Sequence, residues 1–200
     1  MVYMELLFNI YNIMLVLSSY GLPMAVSKLV SARFTKKRYK SAAKVLRCSL
    51  MVAVCTGGIA ALLVFFGASF IENVIYGGGL PGLAVPLRIL APTIFLVAIL
   101  GVIRGFFQGQ STMIPTAVSQ ILEQIVNAIV SIAAGYGMMK AFASLPDVAA
   151  YGAAGSTLGT AMGALTAVLF MGFLYAVYTP TFNRLKRKDR HTENQSTADL

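Results

Sequence analysis

The chain has 200 residues, 58% of them hydrophobic and only 12% charged, with a formal net charge of +9. A soluble domain carries roughly a quarter charged residues, so this supply cannot coat a water-facing surface, and the hydrophobicity is too high for intrinsic disorder. Two cysteines exclude a disulfide scaffold. The composition specifies an integral membrane protein.

A spanning helix needs about 20 mostly apolar residues to cross ~30 Å of hydrocarbon. Leu6 to Ser27 carries no charge and predicts a first helix over about 5–32. It lacks a basic leading segment and is followed by basic residues rather than a small-residue cleavage site, which rejects a signal peptide. Ser49 to Ile71, also uncharged, predicts a second helix over about 46–72. The third, about 84–108, has Arg88 near one end and Arg104 near the other. The fourth, about 115–139, holds one charge, Glu123. The fifth, about 149–178, lies in the uncharged run Val148 to Asn183. The apolar runs are far longer than barrel strands and do not alternate. The expected fold is all-α and integral to the membrane: a helical domain over 1–183 and a polar, basic, flexible tail over 184–200.

Lys and Arg set the orientation. Seven basic residues, from Arg33 to Arg47, follow the first helix, and five, from Arg184 to Arg190, follow the fifth. Both segments must share one side, which is predicted to be cytoplasmic. The loops on the other side hold Glu72, the Gly77-Gly78-Gly79 turn, Lys140 and Asp147. The N-terminus is therefore expected outside and the C-terminus inside. An outer N-terminus without a signal peptide, and a polar tail without a further helix, are expected of a piece of a longer protein. A complete five-helix protein is the alternative.

Periodicity marks the faces that avoid lipid. At 100° per residue, Ser119, Gln120, Glu123, Gln124, Asn127 and Ser131 share one arc of the fourth helix. The first helix repeats the theme with Glu5, Asn9, Asn12, Ser19, Pro23 and Ser27. Such stripes face either a wet cavity or a neighbouring helix that they hydrogen-bond. The number of polar residues favours a cavity, and its candidate lining is Asn12, Lys28, Arg104, Gln120, Glu123 and Asn127. Glu123 is too short to snorkel to the headgroups; Arg104, near a helix end, can do so. The two are expected to meet or to line one hydrated vestibule. Gly155, Gly159 and Gly163, four residues apart, predict close helix packing. Pro23 and Pro92 predict kinks. Gly105 and Gly109 read as a turn between the third and fourth helices, with Pro115 in the first turn that follows.

Catalytic and metal-binding chemistry is not legible. The only histidine, His191, is in the tail, and no His/Cys/Asp/Glu cluster has metal-ligand spacing. No cofactor is expected. The basic segments have few interleaved aromatics and flank membrane helices, so they read as topology signals in contact with lipid rather than as a nucleic-acid surface.

Three segments carry a resemblance. They are Tyr20-Gly21-Leu22-Pro23-Met24-Ala25-Val26-Ser27-Lys28-Leu29-Val30-Ser31; Leu90-Ala91-Pro92 followed by Gly101-Val102-Ile103-Arg104-Gly105-Phe106-Phe107-Gln108-Gly109; and Met113-Ile114-Pro115-Thr116-Ala117-Val118-Ser119-Gln120-Ile121-Leu122-Glu123-Gln124. Together they resemble bacterial polysaccharide-biosynthesis and stage V sporulation protein B-like flippases, of the MATE-like multidrug/oligosaccharidyl-lipid/polysaccharide exporter superfamily. The resemblance covers residues 5–178 as helices two to six of a family that has about fourteen. It implies most of one lobe of a two-lobed transporter that moves lipid-linked polysaccharide or cell-wall precursors by alternating access, in the cytoplasmic membrane and without enzymatic chemistry. Expected partners are that substrate, membrane lipids and the remaining lobe. The alternatives are a multidrug or organic-cation exporter of the same superfamily and a non-transporting scaffold. Lys28, Arg104 and Glu123 make the interior slightly positive, which leans to an anionic substrate.

Overall fold

A computed structural model describes residues 21, 23–70, 72–73, 84–143 and 148–189, except the side chains of 149 and 150. The described residues are helical apart from short turns: α1 (23–35), α2 (Tyr39–Phe70), α3 (Ala84–Gly109), α4 (Ile114–Ala141) and α5 (Val148–Lys188). Tyr39–Phe70, Ala84–Gly109, Ile114–Ala141 and Tyr151–Lys188 are long and apolar enough to cross a membrane. Their outer faces are apolar: Phe66 is 75% exposed and Ile132 is 74% exposed. Such surfaces belong in lipid rather than water.

Two helices run further than their apolar stretches. α2 starts at Tyr39 rather than near residue 46, and α5 continues to Lys188 rather than stopping near 178. The cause is that a charge ends the hydrocarbon-compatible run but not the helix: Lys and Arg are good helix formers. With 41 residues, α5 is ~60 Å long at 1.5 Å per residue, about twice the hydrocarbon thickness. Residues 184–188, expected in a flexible tail, are helical. Pro92 sits inside α3, which continues past it.

The chain divides into two compact units, and α2, α3, α4 and α5 each contribute to both. Unit 1 holds residues up to Val52, Gly101–Thr116 and Met171 onward. In it α1 runs parallel to α3, and α3 presents Gly101, Gly105 and Gly109. A methyl on Gly105 would lie 2.7 Å from the Pro23 carbonyl oxygen and 3.0 Å from Val26 Cβ; one on Gly109 would lie 2.7 Å from Val30 Cβ. The glycines serve close approach. The turn itself begins at Gln110, and the left-handed backbone falls on Ser111, at φ 61°. Gly105 and Gly109 are thus helix-packing residues rather than turn residues.

The basic end of unit 1 is closed by aromatics. Phe106 and Phe182 are buried, with ring centroids 5.4 Å apart and nearly perpendicular, and Phe34 stacks on Phe182 at 6.0 Å. Lys186 Nζ lies 4.6 Å over the Phe182 ring, in cation–π range. Asp189, just past α5, is buried and accepts the backbone N–H of Lys40 in the first turn of α2 at 3.0 Å. A carboxylate there satisfies an orphan donor and complements the helix dipole. α1 ends in a left-handed Lys37, φ 55°, with Arg38 N–H bonded to Arg33 O and Lys37 N–H to Phe34 O. This pair of bonds is the Schellman C-cap, usually built with glycine at that position.

Unit 2 holds Ala53–Leu100 and Ala117–Phe170. Its buried apolar residues are mostly small: Ala53, Ala68, Ala91, Ala154, Ala164 and Ala167. α2 and α3 run antiparallel there, and a methyl on Gly57 would lie 2.7 Å from Ala98 Cβ. Glu72 accepts the Ala84 N–H at 2.7 Å and so caps α3, while Arg88 donates to Ser69 at 2.9 Å. Helices in lipid gain little from burying large apolar side chains against each other, so association relies on close backbone approach and hydrogen bonds.

Candidate functional site

The α4 polar stripe lies wholly in unit 2 from Ser119 to Ser131. Packing against α5 divides it. Ser119 is fully buried, Glu123, Asn127 and Ser131 are half-buried, and Gln120 and Gln124 are exposed.

The half-buried part meets the glycine stripe of α5, antiparallel to it. A methyl on Gly163 would lie 2.7 Å from the Glu123 carbonyl oxygen and 3.2 Å from Asn127 Cβ; one on Gly155 would lie 2.6 Å from Gly135 Cα. A methyl on Gly159 would overlap the Ser131 hydroxyl. Ser131 Oγ is 2.9 Å from both Asn127 Oδ1 and the Ser156 carbonyl oxygen. A hydroxyl has one hydrogen to donate. With the Asn127 amide turned, its N–H₂ donates to Ser131 and Ser131 donates to Ser156, which satisfies all three groups across the seam. Asn127 and Ser131 are thus engaged in helix–helix contact, the role expected of polar glue.

The exposed part is different. Gln120 and Gln124 stand one turn apart beside the exposed Ile121 and Ile125. An amide left against hydrocarbon costs several kcal/mol on alkane-transfer scales. These two glutamines are the part of the stripe available to water or to another polar surface.

Of the other candidates, Asn12 lies outside the described residues. Lys28 is exposed on α1, and Arg104 is half-buried on α3, both in unit 1. The described part of α1's own stripe, Pro23 and Ser27, packs on Gly101, Gly105 and Gly109 of α3. Sequence reasoning missed that second glycine seam, although its four-residue spacing matches the one read in α5. It also missed the Asp189 cap, which joins residues 149 positions apart. Among the described residues no group of three or more His, Cys, Asp or Glu is placed to hold a metal. Cys48 and Cys55 are free thiols.

The chain is 35% identical over 141 residues to the lipid II flippase MurJ of Bacillus subtilis (strain 168), covering 68% of this chain and 26% of the relative. It is 31% identical over 156 residues to the stage V sporulation protein B of the same organism, covering 78% of this chain and 28% of the relative. It is 28% identical over 187 residues to an uncharacterized membrane protein, YabM, also of that organism, covering 94% of this chain and 32% of the relative. The chain therefore spans about a quarter to a third of the length of these curated relatives. No solved structure matches it. The polysaccharide biosynthesis protein family matches residues 3–196. Multi-pass helices, the small-residue seams that pack them and this match along nearly the whole chain agree: the chain belongs to the polysaccharide biosynthesis protein family.

Proposed function

We propose that this chain forms most of one lobe of a flippase that carries lipid-linked polysaccharide or cell-wall precursors across the cytoplasmic membrane by alternating access. Its similarity to the lipid II flippase MurJ over 68% of its length is the observation that carries the reading. The exposed Gln120 and Gln124 on a membrane-spanning helix support it, because a substrate with a polar headgroup needs a polar wall within the membrane. A rocking transporter needs two halves around a shared site, so the working protein includes a second lobe. Gln120 and Glu123 on α4 are the proposed substrate-facing residues of unit 2, and Lys28 and Arg104 those of unit 1. The cations suit a phosphate-linked headgroup, which distinguishes this substrate from the organic cations of the multidrug alternative. The chain moves its substrate and does not transform it. Orientation follows the basic residues: Arg33 to Arg47 and Arg184 to Arg190 cytoplasmic, the N-terminus outside.

The test has two parts. Single cysteines at Gln120 and Gln124, in a background with Cys48 and Cys55 replaced, are treated with a membrane-impermeant maleimide in the assembled transporter. Labelling that a lipid-linked precursor suppresses is the expected result; a scaffold helix would give none that responds to substrate. A reporter fused after Gly79 is expected outside the cytoplasm, and a cytoplasmic reporter would reverse the orientation.

A further inference from the structure

One face of α2 changes from cationic to apolar where the helix enters the membrane. Lys40, Lys44, Arg47 and Met51 are spaced i, i+4, i+7 and i+11, which places them within an arc of about 60° at 100° per residue. All four are exposed, Met51 by 67%. Arg47 stands two residues before the uncharged run that opens at Ser49, so about 3 Å outside it at 1.5 Å per residue. Three cations and a lipid-facing methionine therefore follow one another along a single line.

α5 brings a further cation to the same level. Lys186 lies three residues past Asn183, where the uncharged run of α5 ends. Its ammonium reaches back along the helix: Nζ is 3.3 Å from Asn183 Oδ1 and 4.6 Å from the centre of the buried Phe182 ring. That sets the charge at the edge of the apolar segment rather than out in water. Lys186 is half-buried, and the charge of Arg47 acts on it from α2.

Both residues belong to unit 1, whose only carboxylate among the described residues is Asp189. Asp189 is engaged at the first turn of α2, on the Lys40 N–H. Two cations held near each other repel, and an anion beside both relieves that repulsion. Positive charge that only fixes orientation needs a side of the membrane and no register along a helix. Here the register is kept, and a second helix converges on it.

We infer that Arg47 and Lys186 hold the phosphate of an anionic phospholipid, with Lys40 and Lys44 on the outer side of its headgroup and its acyl chains running past Met51. The guanidinium and the ammonium donate charge-assisted hydrogen bonds to the phosphate oxygens. Each cation near an anionic membrane surface contributes roughly a fivefold gain in affinity. The partner is a lipid rather than an acidic protein because the cationic line continues without a break into a residue exposed to hydrocarbon. This surface depends only on insertion in a membrane and not on the flippase reading.

The full chain in phosphatidylcholine vesicles tests this. It has no tryptophan, so a single introduced one reports on its own surroundings. Met51→Trp places the reporter four residues after Arg47. Val118→Trp places a control four residues into α4, a helix whose first basic residue is Lys140. Quenching is compared at equal mole fractions of phosphatidylglycerol and phosphatidylcholine carrying brominated acyl chains. At Met51→Trp the anionic lipid is expected to be favoured by more than about tenfold, and at Val118→Trp not at all. Adding Arg47→Gln or Lys186→Gln to Met51→Trp is expected to lower the preference about fivefold each. Circular dichroism of the variants shows that their helices are kept. No preference at Met51→Trp overturns the surface. Equal preference at both reporters, or a preference that neither glutamine variant lowers, overturns it too, because the attraction would then be diffuse charge alone.

Discussion

The Ser131 hydroxyl occupies the space that a methyl group on Gly159 would fill. The two residues define the closest part of the α4–α5 seam, where Ser131 also bonds Asn127 and the Ser156 carbonyl. Gly159→Ala must separate the helices or displace the hydroxyl from both partners. It is expected to destabilise the protein by roughly 1–3 kcal/mol, the usual range for overpacking, read by denaturant unfolding in detergent. Unchanged stability would mean that the seam relaxes freely.

A parallel case is Gly105 on α3. A methyl there meets backbone, the Pro23 carbonyl oxygen at 2.7 Å and Pro23 Cα at 3.1 Å, which cannot rotate away. Gly105→Ala is expected to cost at least as much as Gly159→Ala. Gly58, whose surroundings are open, is the control: Gly58→Ala is expected to be neutral or slightly stabilising, since alanine is the better helix former.

Lys37 adopts a left-handed backbone at the end of α1 and its side chain is exposed. Lys37→Gly removes the Cβ penalty at that position and is expected to stabilise the protein by roughly 1 kcal/mol. A loss of stability would assign the lysine side chain a contact worth more than the backbone relief.

Asp189 caps α2 from the far end of the chain. Asp189→Ala is expected to cost about 1 kcal/mol, as for other lost N-caps, and Asp189→Asn less, because the amide oxygen still accepts the Lys40 N–H. Equal loss in both variants would assign the effect to the negative charge rather than to the hydrogen bond.

Glu123 tests the proposed cavity. In the assembled transporter, Glu123→Ala is expected to impair transport more than Glu123→Gln, since glutamine keeps size and hydrogen bonding while alanine leaves polar neighbours short of a partner at ~1–3 kcal/mol each. Complementation of a flippase-deficient strain at matched expression reads this out. Full activity of Glu123→Ala would remove Glu123 from the site.

Much of the architecture was legible in order. Uncharged runs such as Ser49 to Ile71 place helices because hydrocarbon tolerates no unpaired backbone, and the i, i+4 glycines of α5 announce a packing seam. Helix ends were less legible at Lys40 and Lys186, where charge leaves the membrane but the helix continues. The tertiary structure alone divides the α4 stripe. Periodicity groups Gln120, Glu123, Gln124, Asn127 and Ser131 on one arc, because a 3.6-residue repeat reports the face of a helix and not what lies against it. Only the antiparallel fit of Gly155, Gly159 and Gly163 turns Asn127 and Ser131 to a neighbouring backbone and leaves Gln120 and Gln124 outward. The Asp189 cap and the pairing of Phe34 with Phe182 were invisible for a related reason: no local pattern links residues about 150 positions apart. They meet because α5 outruns the membrane and returns its basic end to the start of α2.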